Sequence, residues 1–349
     1  MILLRRQEKG APHPPAKGDR LRITVGARLH LGFYNIFNGL QAYGSVGLYI
    51  GGVKPGPRIV LQAKQLGENV VQLKGFPEDV SNTITRVFER YCKHPSKGVY
   101  LELVSSYPRH VGLGSTTQLV MGALLAVKKT CKTRASLIRM AELANRGQVS
   151  GIGVHSFMRG GLIVDAGKPY AKSWLGKPPR LLQRIPLPDE INVLIVIPRV
   201  KYRVPEDAEP DLWEKSLLER GRRYSAYLSH FVFSHIIPGL LYRNWEQFGT
   251  GINKLQDLLG SFFSELQGDI YATSETAIIV KALRASGAHG AGQSSWGPLA
   301  YGFFTNNRKK HVEEKIIRLV EKQGIEASIE WAKPNNHGAV VEEDHKLGH

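Results

Sequence analysis

Residues 108–118 read Pro108-Arg109-His110-Val111-Gly112-Leu113-Gly114-Ser115-Thr116-Thr117-Gln118, and an apolar run over 119–127 follows directly. Two glycines in a turn, a hydroxyl residue and then a buried-type run predict a loop feeding the N-terminus of a core helix. Ser115 falls at the N-cap, and Gln118 stands where a capping box takes Glu or Gln. The first turn of such a helix offers unpaired N–H groups and the positive end of the helix dipole. Gly112 and Gly114 have no side chains to hold a ligand away from the backbone. Together these features describe a phosphate cradle. Lys128 and Lys129 close the helix at its negative end. No Gly-Lys-Ser/Thr follows and the spacing is not Gly-x-Gly-x-x-Gly, so two common phosphate loops are excluded. A plain capped turn has the same signature, and function has to be argued from further residues.

The chain has 349 residues, enough for two domains of ordinary size. A hydrophobic content of 42% and a charged content of 22% support a packed core. The apolar runs at 119–127 and 191–197 are far too short for a membrane span. Ile2-Leu3-Leu4 is followed at once by Arg5 and Arg6, which does not make a secretory signal, so a cytoplasmic protein is expected. Cys92 and Cys131 are too few for a disulfide framework and lack metal-ligand spacing. A reducing compartment fits them, and a single bond between them stays open. The formal net charge is +17, from 47 Lys and Arg against 30 Asp and Glu. The basic residues are scattered and not interleaved with aromatics, so nucleic acid is not an expected partner. One anionic substrate does not account for so large an excess.

Residues 1–20 are rich in Pro, Lys and Gly and are expected to form a loose leader. Residues 21–25 alternate like a strand, and 26–35 continue the pattern with Arg28 and His30 on one face. Strands are expected at 44–50, 58–61, 99–104, 191–197, 299–304 and 327–331. Helices are expected at 82–91, at 133–146 with Thr133 as cap, from Asp211 onward, and at 245–263, 273–286 and 312–323. Residues 169–188, rich in proline, read as a connector with a domain boundary near 186. Two further glycine-rich stretches stand out. One runs from Ser150 to Gly167 around His155 and Asp165, and the other from Gly287 to Pro298. Such density of glycine argues for close backbone approach. A lone His is more often structural, and an Asp before Ala-Gly is often a turn residue.

These three stretches together resemble the GHMP kinase superfamily, over roughly residues 21–342. The shared signal is Pro108-x-x-x-Gly112-Leu113-Gly114-Ser115. Within the superfamily the chain is similar to the β-ribofuranosylaminobenzene 5′-phosphate synthases. Arg28-Leu29-His30-Leu31-Gly32-Phe33 resembles their first motif. Gly151-Ile152-Gly153, Phe157 and Gly160-Gly161-Leu162-Ile163-Val164-Asp165 resemble their middle motif. Gly290-Ala291-Gly292-Gln293-Ser294-Ser295-Trp296-Gly297-Pro298 resembles their last. Where the kinases carry Gly-Val-Asp, with the Asp as base, this chain has Gly153-Val154-His155. Where the synthases tend to have an acid, it has Asn35.

The resemblance implies a two-domain α+β fold of GHMP-kinase type. The N-terminal domain, 21–186, would carry the phosphate loop, and a ferredoxin-like α/β sandwich would form the C-terminal domain, 187–349. It implies a decarboxylating phosphoribosyl-type transfer in tetrahydromethanopterin synthesis. Phosphoribosyl diphosphate and 4-aminobenzoate, or 4-hydroxybenzoate, would give a ribosylated ring, carbon dioxide and pyrophosphate. Arg109, Gly112, Leu113, Gly114, Ser115, Thr116, Thr117 and Gln118 would hold the diphosphate. Arg28, His30, Asn35, His155 and Asp165 would serve the chemistry. Gln293, Ser294, Ser295 and Trp296 would seat the aromatic acid. Mg²⁺ is expected, with Ser115 and Asp165 as its candidate ligands, and a homodimer is expected. The alternative is an ATP-dependent small-molecule kinase on the same scaffold.

Overall fold

The structure, a computed structural model, describes residues 20–171, 176–200, 214–305 and 309–344. The expected leader, apart from Arg20, and the expected helix start at Asp211 lie outside these residues. Three sheets carry the architecture. The first has β1 (Arg20–Val25), β4 (Ile59–Leu66), β5 (Val71–Lys74), β6 (Gly98–Ser105) and β14 (Val340–Asp344), in the order β14-β1-β4-β6-β5. Its pairs are antiparallel except β5 with β6. That parallel pair needs a crossover, which α1 (Glu78–Tyr91) supplies. The second sheet runs β2 (Ala27–Phe37), β3 (Gln41–Ile50), β7 (Leu162–Asp165) and β9 (Leu181–Ile185), with β8 (Lys168–Pro169) also on β3. The third is antiparallel, β11 (Ala291–Gln293), β12 (Ala300–Phe304), β10 (Asn192–Pro198) and β13 (Ala327–Ala332).

Helix α2 (Ser115–Thr130) packs on β1, β4 and β6 and against α1, α3 (Leu137–Leu143) and α4 (Ile152–Arg159). Leu119, Val120, Met121, Ala123, Leu124, Ala126 and Val127 are all buried, which a helix apolar on every side requires. Each large aliphatic side chain so buried contributes about 1.5–3 kcal/mol. Gly122 lets the helix meet the sheet, since a Cβ there would stand 2.9 Å from Leu61 Cδ1. Farther along the chain, α5 (Lys215–Phe231) passes through a π-helical turn, Val232–Ile236, into α6 (Ile237–Leu241). Helices α5 and α7 (Trp245–Gln267) lie on β2. α8 (Ser274–Ala285) and α9 (Lys309–Lys322) bury Ile279, Leu283, Val312 and Ile316 against Leu194, Val196 and Phe304 of the third sheet.

Three local expectations change. Gly114, in a left-handed conformation at φ 67°, is the N-cap of α2, and Ser115 is its first helical residue. The hydroxyl is one residue too late to cap, and Gln118 turns inward to donate to the Gly153 carbonyl at 2.9 Å. Ser136, not Thr133, caps α3, accepting from the Arg139 N–H at 3.2 Å. Part of the expected connector is strand β9, because Leu162–Asp165 offers it a free edge to pair with. The strand β14, which had no signal of its own, completes the edge of the first sheet. Cys92 and Cys131, each just past the end of its helix, form a disulfide that joins α1 to α2. Among the described residues no helix is long and apolar enough to cross a membrane.

Candidate active site

A cleft of about 380 Å³ opens between β2, the loop 145–150, the first turn of α2, α7 and the turn at 293–296. Arg28, His30, Phe33, Thr117, Arg146, Gln148, Phe263, Gln293, Ser295 and Trp296 are among the residues that line it. Among the described residues no Asp or Glu lines it. The cleft is therefore cationic at neutral pH.

The glycine loop shapes the cleft from beneath. Gly112 and Gly114 both have positive φ, at 100° and 67°. A Cβ on Gly114 would lie 2.7 Å from Arg28 Cγ, and one on Gly112 would lie 2.5 Å from the Ser294 carbonyl oxygen. So the glycines make room for the other two motifs. The Arg28 N–H donates to the Leu113 carbonyl at 3.1 Å, and its guanidinium donates to the Gly112 carbonyl at 3.3 Å. Burial pulls the guanidinium down to about 10, with Tyr107 opposing, which still leaves it charged. The Ser294 hydroxyl donates to the Gly112 carbonyl at 2.7 Å and accepts the His30 N–H at 3.0 Å. The Ser295 N–H donates to the His30 carbonyl at 3.3 Å. The first motif, the phosphate loop and the last motif meet at this point.

Strict alternation would put Phe33 on the face opposite His30. The register of β2 against β3 shifts between His30 and Gly32 and again between Phe33 and Asn35. A bulge re-aims side chains in this way. Gly32 sits at φ 145°, and Leu259 of α7 fills the space its Cβ would take. Phe33 thereby lines the cleft edge-on to His30, with ring centres 5.0 Å apart. Phe263 stands 6.2 Å from Phe33 and 5.3 Å from Trp296, so the three rings form one aromatic wall. His30 is 6% exposed, and its Nε2 has no hydrogen-bond partner among the described residues. Burial first, and the Arg28 charge second, hold the imidazole well below its usual pKa.

Most of the remaining candidates are placed elsewhere. Arg109 forms a bidentate pair with Asp79 of α1, at 3.0 and 2.6 Å, and donates to the Thr116 hydroxyl. Of the expected diphosphate residues, Thr117 lines the cleft, while Leu113, Ser115 and Gln118 are buried beneath it. Asn35 lies farther along β2 and reaches the Gln41 carbonyl at 3.4 Å. His155 turns away from the cleft and bonds the Pro179 carbonyl at 2.8 Å. Gly153 is the residue of α4 that abuts Thr117, whose Cγ2 would be 3.1 Å from an added Cβ. Asp165 is sealed from solvent, and its oxygens accept the N–H groups of Ser45 at 3.1 Å, Gly167 at 2.9 Å and Gly151 at 2.8 Å. Burial pushes its carboxyl up to about 7, while the Gly167, Gly151 and Ser45 N–H groups pull the other way. Neither Asp165 nor Ser115 presents an oxygen to the cleft. Among the described residues no three His, Cys, Asp or Glu come together to hold a metal. The Gln293 carboxamide is engaged, accepting the Ala272 N–H at 2.7 Å and donating to the Ser295 carbonyl at 2.9 Å.

Sequence reasoning missed Phe33, the loop with Arg146 and Gln148, and Gln256, Phe263 and Tyr271 of the far wall. Arg146-Gly147-Gln148 directly precedes the glycine-rich middle stretch, which was the available signal. Nothing local marks Phe263, one of many apolar residues on α7.

Residues 82–161 match the family described as GHMP kinases N terminal domain. The homoserine kinase of Cytophaga hutchinsonii has the same fold, with a TM-score of 0.66 at 16% identity, over 95% of this chain and 100% of that one. The fold is thus that of the GHMP kinases. The β-ribofuranosylphenol 5′-phosphate synthase of Archaeoglobus fulgidus is 27% identical over 336 residues, covering 92% of this chain and 99% of that protein. The same synthase from Methanothermobacter thermautotrophicus is 29% identical over 254 residues, covering 70% of this chain and 75% of that protein. Within the GHMP superfamily this chain is a homologue of those synthases.

Proposed function

We propose that the chain joins phosphoribosyl diphosphate to 4-hydroxybenzoate and releases carbon dioxide and pyrophosphate. The product would be β-ribofuranosylphenol 5′-phosphate, a precursor for tetrahydromethanopterin. 4-Aminobenzoate, the acceptor first expected from the resemblance, differs only in its para group. The observation that carries this reading is the composition of the cleft. Arginines line one part, three aromatic rings line another, and among the described residues no carboxylate joins them. A phosphoryl transfer to an alcohol uses a positioned carboxylate as base or as metal ligand. A dense anion plus a flat ring suits this cleft better.

Arg28 and the first turn of α2 bear on the diphosphate. Their fixed positive ends stabilise charge as it develops on departing pyrophosphate. Mg²⁺ would enter held by the diphosphate, as this ion commonly does, since among the described residues the cleft offers it no carboxylate. Phe33, Phe263 and Trp296 stack the acceptor so that the ring carbon bearing its carboxylate faces the ribose C1. That carbon loses carbon dioxide and not a proton, so no base is needed there.

The test uses 4-hydroxybenzoate and 4-aminobenzoate labelled in the carboxyl carbon, each with phosphoribosyl diphosphate and Mg²⁺. Labelled carbon dioxide should be released only when both substrates are present. No release with either acceptor, together with ADP formation from ATP and a small alcohol, would turn the assignment to a kinase.

A further inference from the structure

Resting on that reaction, we propose that the His30 imidazole is the base that takes the acceptor's para-hydroxyl proton and later returns it. The chemistry asks for such a group. As the ring carbon bonds to the ribose C1, the bond from C1 to the diphosphate oxygen breaks and pyrophosphate leaves with the electron pair. The ring then carries a positive charge on the para oxygen. Transfer of that proton to His30 leaves a neutral dienone and an imidazolium. The bond to the carboxylate then breaks, carbon dioxide departs, and its electron pair restores the aromatic ring as a phenolate. The phenolate takes the proton back, and His30 is neutral again.

Several observations meet on this side chain. It lines the cleft beside the aromatic wall, with Phe33 edge-on at 5.0 Å. Its backbone is clamped on both sides, by the Ser294 hydroxyl at 3.0 Å and the Ser295 N–H at 3.3 Å. Its Nε2 is buried with no partner among the described residues, an arrangement that is costly unless function retains it. Among the described residues it is the sole imidazole in the lining, and no carboxylate stands beside it. The other polar groups there are poor bases: Arg28 and Arg146 are cations, and Ser, Thr, Gln and Tyr side chains bind protons weakly. The Gln256 carboxamide is also taken up by the Leu31 carbonyl at 2.6 Å and the Gln293 N–H at 2.8 Å. The charged group facing the ring is Arg28, two residues away on the same strand, which favours the neutral, proton-accepting form.

The experiment compares wild type with His30→Gln on two acceptors. One is 4-hydroxybenzoate. The other is a ring-fluorinated 4-hydroxybenzoate whose hydroxyl is already ionised at neutral pH. The variant's kcat on 4-hydroxybenzoate should fall by roughly 10²–10⁴-fold, the usual range for a lost general base. On the ionised acceptor the ratio of variant to wild type should return to within about threefold of unity. KM for phosphoribosyl diphosphate should change little. An equal fall on both acceptors would make His30 a structural residue, and no fall on either would remove it from the chemistry. His30→Asn repeats the comparison if the Gln variant does not fold. No carbon dioxide from wild type with any acceptor would instead sink the reaction itself.

Discussion

The Ser294 hydroxyl donates to the Gly112 carbonyl at 2.7 Å, across 182 residues of chain. The same oxygen accepts the His30 N–H. One hydroxyl therefore joins the first motif, the phosphate loop and the last motif where the cleft begins. Ser294→Ala leaves a buried N–H and a carbonyl without this partner, at an expected total of about 2–4 kcal/mol. Equilibrium unfolding in urea should show a lower midpoint at an unchanged slope. A midpoint equal to wild type would mean that the clasp contributes nothing.

Gly114 is held at φ 67° with Arg28 Cγ packed where its Cβ would be. Gly114→Ala adds a left-handed penalty of about 1–2 kcal/mol and pushes Arg28 aside. KM for phosphoribosyl diphosphate should rise at least tenfold, equivalent to about 1.4 kcal/mol, while the protein stays folded. Steady-state kinetics at saturating acceptor test this. An unchanged KM would show that Arg28 does not meet the diphosphate.

Asp165 ties β3, the start of α4 and its own turn through the Ser45, Gly151 and Gly167 N–H groups. Asp165→Ala strands these buried donors and should cost about 3–5 kcal/mol. The carboxyl also gives a pH signature. Its folded pKa, near 7, lies above the unfolded value, which is about 3.9. The folded chain then holds a proton that the unfolded chain has released. Stability from this group is full below about pH 4 and is lost as pH rises through about 7. Asp165→Asn should unfold with a flatter profile across that window. If both proteins show the same slope, the N–H donors keep the carboxylate ionised and burial is outweighed.

The Cys92–Cys131 bond closes a sequence separation of 39 residues between the ends of α1 and α2. The chain-entropy relation gives about 4 kcal/mol for a loop of this length. The opposite ends of these helices are joined by Asp79 and Arg109, whose guanidinium also donates to Thr116 in the first turn of α2. Thermal unfolding should move down by several degrees with a thiol reductant, and Cys92→Ser with Cys131→Ser should reproduce the shift. Labelling of denatured protein should find free thiols only after reduction. Thiols that label without reductant would show that the bond does not form.

The order and type of most elements were legible because they rest on local physics. Apolar period, glycine and capping residues act over a few positions, and α2, β10 and α7 appear where those signals stand. The errors were also local ones. Ser115 looks like a cap because its neighbours fit a capping box, yet Gly114 takes that place by adopting a conformation open to glycine. Strand β14 is legible only once β1 presents an edge.

The sequence by itself determined the three motifs, the cationic character of Arg28 and the aromatic residue at Trp296. Tertiary structure decided which of these share a cavity. A bulge in β2 brought Phe33 beside His30. Packing turned His155 toward Pro179 and sealed Asp165 among backbone N–H groups. Asp79 claimed the Arg109 guanidinium. Side-chain direction and partner choice depend on groups tens to hundreds of residues away, and a local pattern carries no information about them.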